Sequence, residues 1–354
     1  MVQTPVYFDR IFEKLNEILT KKKPNLIIVL ADENTHNLCV PLLLSEIETD
    51  SQIELVEIPA GESAKNLDIA IQIWETLAEF KVDKSSLLIN LGGGMVTDFG
   101  GFVASVYKRG IQFINIPTSL LAMTDAAFGG KTGLDLNGIK NLIGVYNFPL
   151  ATLVHPGFLE TLPEREFRSG LAEMLKHGLI YDREHWQNII GINLPNPESI
   201  GGLIRDSVNI KLEIVEKDPF EKGLRKILNF GHTIGHAVES ESMTTGNPLL
   251  HGESIAIGML VEAVLSAENE LIGKSELDEI FSNLIRLFGK TKIDESKIPN
   301  LIGWMENDKK KSGDRMNFSL LDGIGKSRFD ITLSREQIAE GIRIYNRMIE
   351  NYRI

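Results

Sequence analysis

Leu87-Leu88-Ile89-Asn90-Leu91-Gly92-Gly93-Gly94-Met95-Val96-Thr97-Asp98 passes from a short apolar run, through three glycines, into an apolar helix continued by Phe99, Phe102 and Val103. A strand that ends in glycines and opens a helix marks an α/β sheet with a ligand-holding turn. The neighbouring segments agree. Leu26-Ile27-Ile28-Val29-Leu30, Ile53-Glu54-Leu55-Val56-Glu57-Ile58 and Ile111-Gln112-Phe113-Ile114-Asn115-Ile116 read as further strands. Between the second and third runs, residues 66–80 carry Ile69, Ile71, Ile73 and Leu77 at helical spacing. Near-continuous apolar strands separated by helices imply a parallel sheet covered on both faces. After Pro156 the pattern changes. Residues 164–180, 198–216, 252–267, 275–288 and 335–350 read as helices, and one hairpin is expected between Met316 and Thr332, turning at Asp322-Gly323. The expected organisation is α/β: a parallel-sheet domain over residues 1–155, then a mainly α-helical domain over 156–354, with a cleft between them as the natural active site.

The glycine turn suits a dinucleotide. Without Cβ atoms, Gly93 and Gly94 let the backbone approach a pyrophosphate, and the helix that follows offers free N–H donors. The fingerprint G-x-G-x-x-G is incomplete, because Thr97 stands where the last glycine belongs, and no acidic ribose-binder follows at the usual distance. Asp32, just past the first strand, is the substitute candidate. Gly129-Gly130-Lys131-Thr132 resembles the end of a phosphate loop, but its required first glycine is Asp125, which excludes nucleotide hydrolysis. Lys131 can still bring an ammonium close to an anion.

Composition narrows the partners. A net charge of −12 argues against nucleic acid, which calls for a broad basic face, and any anionic substrate must be met by locally concentrated cations. No run reaches the ~18 apolar residues of a membrane span. The start, Met1-Val2-Gln3-Thr4-Pro5, lacks the order of a signal peptide, and the single cysteine, Cys39, fits a reducing compartment, so cytoplasm is the expected location.

Three segments carry metal-binding potential: Glu173-Met174-Leu175-Lys176, His232-Thr233-Ile234-Gly235-His236 and His251-Gly252-Glu253. His232 and His236 are four apart and share a helix face. The spacing is that of zinc proteases, but Thr233 replaces their general-base glutamate. One carboxylate and two imidazoles with an open position form a catalytic site of the zinc type. Spacing alone does not choose which two of His232, His236 and His251 bind metal, nor does it single out Glu173 among the acids. His36, His155, His177 and His185 read as structural or surface residues.

These residues resemble the 3-dehydroquinate synthase family. The run Gly92 to Asp98, Arg109-Gly110-Ile111, Ile116 to Leu121, Asp125, Gly129 to Gly133, Lys140-Asn141-Leu142-Ile143-Gly144, Gly170 to Glu173 with Lys176, Lys211, Arg225, Leu228 to His232, Gly235-His236-Ala237 and His251-Gly252-Glu253 follow the family's order and spacing from about residue 60 to about 326. The resemblance implies a Rossmann-like domain followed by a helical one, and conversion of 3-deoxy-D-arabino-heptulosonate 7-phosphate to 3-dehydroquinate and phosphate in the shikimate pathway. Bound NAD would take a hydride and later return it, phosphate would be eliminated, and an aldol step would close the ring. It also implies one divalent metal, zinc or cobalt, and a homodimer.

Position by position, the resemblance makes Glu173, His232 and His251 the metal ligands and His236 a substrate residue. Lys131, Asn141, Lys176, Lys211, Arg225 and Asn229 would line the substrate pocket, Arg109 would reach the phosphate, and Lys309 or Lys310 would close over the substrate. The cofactor contacts would be Asp32, Glu62, Lys65, Gly93, Gly94, Asp98, Thr118, Ser119, Asp125, Lys131, Lys140, Phe158, Thr161 and Leu162. Arg225 suits a planar carboxylate because its fork binds bidentately. Two alternatives share parts of this pattern. Other sugar phosphate cyclases would differ at Lys211, Arg225 and Asn229, and metal-dependent polyol dehydrogenases would release NADH.

Overall fold

The computed structural model describes residues 4–137, 139–192, 197–244, 246, 248–308 and 315–352. Two compact units emerge. The first is Met1–Pro163 with Asn196–Val208, and the second is Glu164–Pro195 with Asn209–Ile354. Residues 156–163 group with the first unit, eight residues beyond the boundary expected from sequence, because the turn Pro156–Thr161 sets Phe158 edge-on to His155 at 5.3 Å and His155 in turn meets Phe12 at 5.5 Å. Arg205 similarly ties 196–208 to the same unit, donating to Asp9 at 2.7 Å and lying 5.0 Å from the Phe8 ring.

The first unit runs β1 (Val6–Tyr7), α1 (Ile11–Lys22), β2 (Leu26–Asp32), α2 (Glu33–Leu38), α3 (Val40–Glu46), β3 (Gln52–Ile58), α4 (Leu67–Glu79), β4 (Leu87–Gly92), α5 (Gly94–Val106), β5 (Gln112–Pro117), β6 (Lys131–Leu136), β7 (Ile139–Tyr146) and β8 (Thr152–Leu153). Six strands form a parallel sheet in the order β1-β8-β5-β4-β2-β3. All four strands expected from sequence belong to it. Their apolar side chains are buried because helices cover the sheet: Ile73 and Leu77 of α4 and Phe99, Phe102 and Val103 of α5 pack with Ile28, Leu30, Leu88 and Phe113. The chain moves outward one way from β2 to β3 and the other way from β4 to β5. The gap between β2 and β4 is therefore the switch point of the sheet, where ligands bind beyond the strands' carboxyl ends. β6 and β7 stand apart as an antiparallel pair.

The second unit is mainly helical: α6 (Glu164–Tyr181), α7 (Arg183–Ile190), the later part of α8 (Pro197–Lys217), α9 (His232–Met243), α10 (His251–Glu268), α11 (Lys274–Phe288), α12 (Ile298–Asp308) and α13 (Arg335–Asn351). The expected hairpin is present as β9 (Arg315–Leu321) against β10 (Ser327–Ser334), its turn closed by Asp322 N–H donating to Lys326 at 2.9 Å, with Gly323 at φ 98°. Helix α10 is apolar on all sides and nearly every residue is buried, so it forms the axis of the unit. Its neighbours approach closely through glycines. A Cβ on Gly252 would sit 2.0 Å from the Ser169 carbonyl oxygen of α6, and one on Gly258 would sit 1.9 Å from the carbonyl oxygen of Gly231, at the start of α9. Among the described residues no helix is long and apolar enough to cross a membrane.

Candidate functional site

In the first unit the candidate cofactor residues gather at the carboxyl ends of four adjacent strands. Asp32 ends β2, Glu62 and Lys65 follow β3, Gly93, Gly94 and Asp98 follow β4, and Thr118 and Ser119 follow β5. Gly93 caps α5 without a side chain, leaving the helix's first N–H groups to a ligand. None of the three glycines has a positive φ. They are needed for closeness instead: a Cβ on Gly92 would meet Val96 at 2.6 Å, and one on Gly94 would meet Ala126 at 3.1 Å. Thr97 is tolerated because its hydroxyl donates to the carbonyls of Gly93 (3.2 Å) and Gly94 (3.1 Å). Asp32 caps α2, where its Oδ1 accepts from the N–H groups of Asn34 and Thr35.

Lys65 is the hub of this half. It is 3% exposed, pairs with Asp98, lies 3.7 Å from Glu62 and hydrogen-bonds to Asn141 Oδ1. Burial opposes its charge, but Asp98 and Glu62 push its pKa upward. Asn141 sits at φ 53° on β7 beside Lys140, and its N–H donates to Asp135 at 2.7 Å. Lys131 opens β6, after Gly129 and Gly130 at φ 88° and 69°, a left-handed path that only glycine follows without strain. Asp125 lies in a π-helical turn, Ala122–Ala126. Phe158 is buried, and Thr161 and Leu162 follow it at the end of the same short turn. Arg109 has φ 62°, between Lys108 at 49° and Gly110 at 99°, and Lys84 Nζ fastens the turn by donating to the carbonyls of Arg109 (3.2 Å) and Gly110 (2.6 Å).

In the second unit three helices supply one cluster. Glu173 of α6, His232 of α9 and His251 of α10 present ligand atoms all within 4.8 Å of one another. Nε2 of His232 and Nε2 of His251 each lie 3.5 Å from the same Glu173 oxygen. His236 instead meets His251 and Glu239 within that limit, its ring 5.1 Å from that of His232. Geometry thus offers these histidines two overlapping triads, Glu173 with His232 and His251, and Glu239 with His236 and His251, which share His251. The donor set, two imidazole nitrogens and a carboxylate oxygen, fits a zinc-type cation. Each ring is also turned correctly. His232 Nδ1 faces the Phe230 carbonyl at 3.1 Å and His251 Nδ1 faces Glu239 at 3.6 Å, so both Nε2 atoms look inward. Burial and the charge of Lys176 hold His232 well below its ordinary pKa. Burial also opposes a charge on His251, but Glu173 and Glu239 push it up to about 9. A cation entering here displaces that proton.

Lys176 stands one turn after Glu173, is buried and pairs with it. Lys211 of α8 and Arg225 are buried as well, and Arg225 Nη1 donates to the Pro219 carbonyl at 2.7 Å. Asn229 donates to Glu221 at 2.7 Å. Lys309 and Lys310 lie outside the described residues. Sequence reasoning missed the residues behind the ligands. Glu239 had a signal: it lies three residues after His236 and seven after His232, on their helix face. Glu253 caps α10 at the Leu250 N–H (2.8 Å) and receives both arms of Arg165 at 2.7 Å, which accounts for the glutamate of His251-Gly252-Glu253.

The family model described as 3-dehydroquinate synthase N-terminal matches residues 55–169, and the one described as 3-dehydroquinate synthase C-terminal matches residues 170–311. The chain belongs to the 3-dehydroquinate synthase family. It is 38% identical to the 3-dehydroquinate synthase of Parabacteroides distasonis, covering 94% of each chain, and 39% identical to that of Campylobacter concisus, covering 93% of this chain and 94% of the other. Among solved structures it resembles the 2-epi-5-epi-valiolone synthase of Streptomyces hygroscopicus with NAD+ and Zn2+ bound, at 26% identity, TM-score 0.83 and 98% coverage of both chains. Membership of the family makes the protein an enzyme and agrees with the motif order of its sequence.

Proposed function

We propose that this chain is a cytoplasmic 3-dehydroquinate synthase: it converts 3-deoxy-D-arabino-heptulosonate 7-phosphate to 3-dehydroquinate and phosphate, with one NAD and one divalent zinc or cobalt ion. The observation that carries the reading is the convergence of Glu173, His232 and His251, with Lys176 paired to Glu173, in a chain 38% identical to a named dehydroquinate synthase. When bound, the metal supplies polarisation of substrate hydroxyls and NAD supplies reversible hydride transfer, chemistry that no side chain provides.

The protein's own residues do the rest. Glu173, His232 and His251 hold the ion. Asp32, Glu62, Lys65, Asp98, Thr118 and Ser119, with the N–H groups of Gly93 and Gly94, hold the nucleotide, and Asp125 and Lys140 orient its nicotinamide end. Phe158, Thr161 and Leu162 complete that contact. Lys131, Asn141, Asn229 and His236 bind the substrate's hydroxyls and phosphate, Arg109 also reaches the phosphate, and one of Lys309 and Lys310 closes over the substrate. The substrate is anionic and the chain carries −12, so attraction must be local. The buried cations Lys176, Lys211 and Arg225 supply it, and Arg225 matches the carboxylate. The departing phosphate collects its own proton, so no dedicated base is required. The enzyme works as a homodimer. The exposed Leu142, Ile143, Val145, Tyr146 and Phe148 along and just after β7 support that state, since they offer apolar surface to bury.

One assay tests the reading. With the heptulosonate phosphate, catalytic NAD and zinc or cobalt, phosphate is released and no net NADH accumulates. Stoichiometric NADH would mark a polyol dehydrogenase and overturn the proposal. Turnover of a sugar phosphate lacking the carboxylate, in preference, would mark another cyclase.

A further inference from the structure

Behind the two candidate ligand histidines stand two buried glutamates on the helices that carry them: Glu239 of α9 faces His251 of α10, and Glu262 of α10 accepts from backbone N–H groups at the start of α9, beside His232. Glu262 lies three turns along α10 from His251 and has no solvent exposure. Its Oε2 accepts from the Gly231 N–H at 2.6 Å and its Oε1 from the Ile234 N–H at 3.1 Å. These are donors at the start of α9, where the capping residue is Gly231 and has no side chain to accept them. The peptide between Phe230 and Gly231 is held at both ends. Its N–H donates to Glu262, and its carbonyl faces Nδ1 of His232 at 3.1 Å. A carboxylate on the N–H polarises the carbonyl, which strengthens it as an acceptor. That acceptor keeps the proton of His232 on Nδ1 and leaves Nε2 to face Glu173. In the other direction, Glu239 of α9 is 4% exposed and faces Nδ1 of His251 at 3.6 Å, an approach just longer than a hydrogen bond.

We propose that Glu262 and Glu239 are a reciprocal pair of positioning residues for the metal centre: Glu262 fixes the ring of His232 through the Phe230–Gly231 peptide, and Glu239 fixes the ring of His251. The inference rests on the proposed metal site and adds to it the residues that set its tautomers. The local sequence hides Glu262, because its partner is 31 residues away. The arrangement also explains why α9 and α10 must pack so closely, with Gly258 against Gly231.

The test is Co2+ titration of the metal-stripped full-length protein, read by chelator competition and by the visible absorption of bound Co2+, with a thermal melt of the metal-free protein alongside. Glu262→Gln keeps the volume but offers one acceptor where two N–H groups point. Glu239→Ala removes the partner of His251, and Glu239→Gln restores an acceptor. Glu262→Gln and Glu239→Ala are expected to weaken Co2+ binding by about 10- to 100-fold and to shift the absorption bands, while Glu239→Gln recovers to within about threefold of wild type. Asn346→Ala is the control for general loosening. Asn346 is equally buried in the same unit and bonds the backbone of Ile293 at 3.0 and 2.8 Å, so its loss lowers the melting temperature and leaves Co2+ affinity unchanged. Should Glu262→Gln fail to fold, the Glu239 pair carries the test. Variants that bind Co2+ like wild type with the same spectrum, a Glu239→Gln as weak as Glu239→Ala, or an equal loss in Asn346→Ala would each overturn the inference and leave the metal site standing. A wild-type protein that takes up no Co2+ overturns both.

Discussion

The two units build their candidate sites from different material. In the first, backbone N–H groups at the start of α5 join side chains at the ends of strands, and the glycines serve to bring peptide units close. In the second, the candidate site is made of side chains from three helices, with His232 and His251 each facing a further polar group. A site of backbone N–H groups depends on the path of the chain and tolerates changes of side chain. A site of converging side chains depends on identity, rotamer and tautomer together. The second unit should therefore be the more brittle of the two.

The largest effect is expected at the ligand itself. Glu173→Gln keeps the shape but loses the charge that both Nε2 atoms face at 3.5 Å. Metal retained after gel filtration, measured by elemental analysis, should fall below detection, and phosphate release with it. Full metal content in the variant would remove Glu173 from the centre and erase the contrast between the units. Next comes the one place where the first unit also relies on buried side chains. Lys65→Met leaves the half-buried Asp98, its side chain 19% exposed, without its cation, which is expected to cost about 2–3 kcal/mol in a denaturant melt, less than a fully buried pair would. Burial already raises the pKa of Asp98 despite Lys65, so the cost should shrink as the pH falls and Asp98 takes up a proton. A loss of under about 1 kcal/mol, the range of exposed pairs, would show that the first unit has no brittle point.

The same contrast governs what the sequence reveals. The strands at 26–30, 53–58, 87–91 and 111–116 were legible because a covered parallel strand is apolar on both faces, and the long helices were legible from their periodicity. The edge strand β1 and the short strand β8 have two residues each, too few to show a period. The β6–β7 pair, with polar residues and glycines interleaved, reads as a set of binding motifs and not as strands. In the site, the residue types were legible and their convergence was not. Glu173, His232 and His251 meet only through the packing of α6, α9 and α10, and only that packing groups Glu173 with His232 and His251, and Glu239 with His236 and His251. Glu262 was hidden for the same reason: a carboxylate that caps another helix leaves no mark near either partner.

A pH titration sharpens the comparison further. His185, in the second unit, is buried and lowered from 6.5 to about 4, first by burial and then by its neighbour His177, with Asp182 opposing. The unfolded chain therefore takes a proton below about pH 6.5 that the folded chain refuses until about pH 4. Stability is complete above the upper value and declines between the two, by up to about 3 kcal/mol. Denaturant melts from pH 7 to 4 should show that decline, and His185→Phe should flatten it. An unchanged slope would assign the acid sensitivity elsewhere.

The smallest effect tests the tolerant side. Thr97 is buried in the first turn of α5, and its hydroxyl donates to the carbonyls of Gly93 and Gly94. The Gly93 carbonyl also accepts the Thr97 N–H at 3.1 Å, and the turn's direction is set by close contacts of the glycines, not by this hydroxyl. Thr97→Val removes the donor while keeping shape and volume. The expected cost is about 1 kcal/mol, the net worth of one hydrogen bond. The Michaelis constant for NAD should stay nearly unchanged, because the substitution leaves in place the backbone N–H groups of Gly93 and Gly94 proposed to hold the nucleotide. Thr97→Gly should cost at least as much, because it loses the same donor and adds a few tenths of a kcal/mol in helix propensity. A large rise in the Michaelis constant for NAD with little loss of stability would mean that the turn depends on this side chain. The first unit's site would then be as dependent on side-chain identity as the second's.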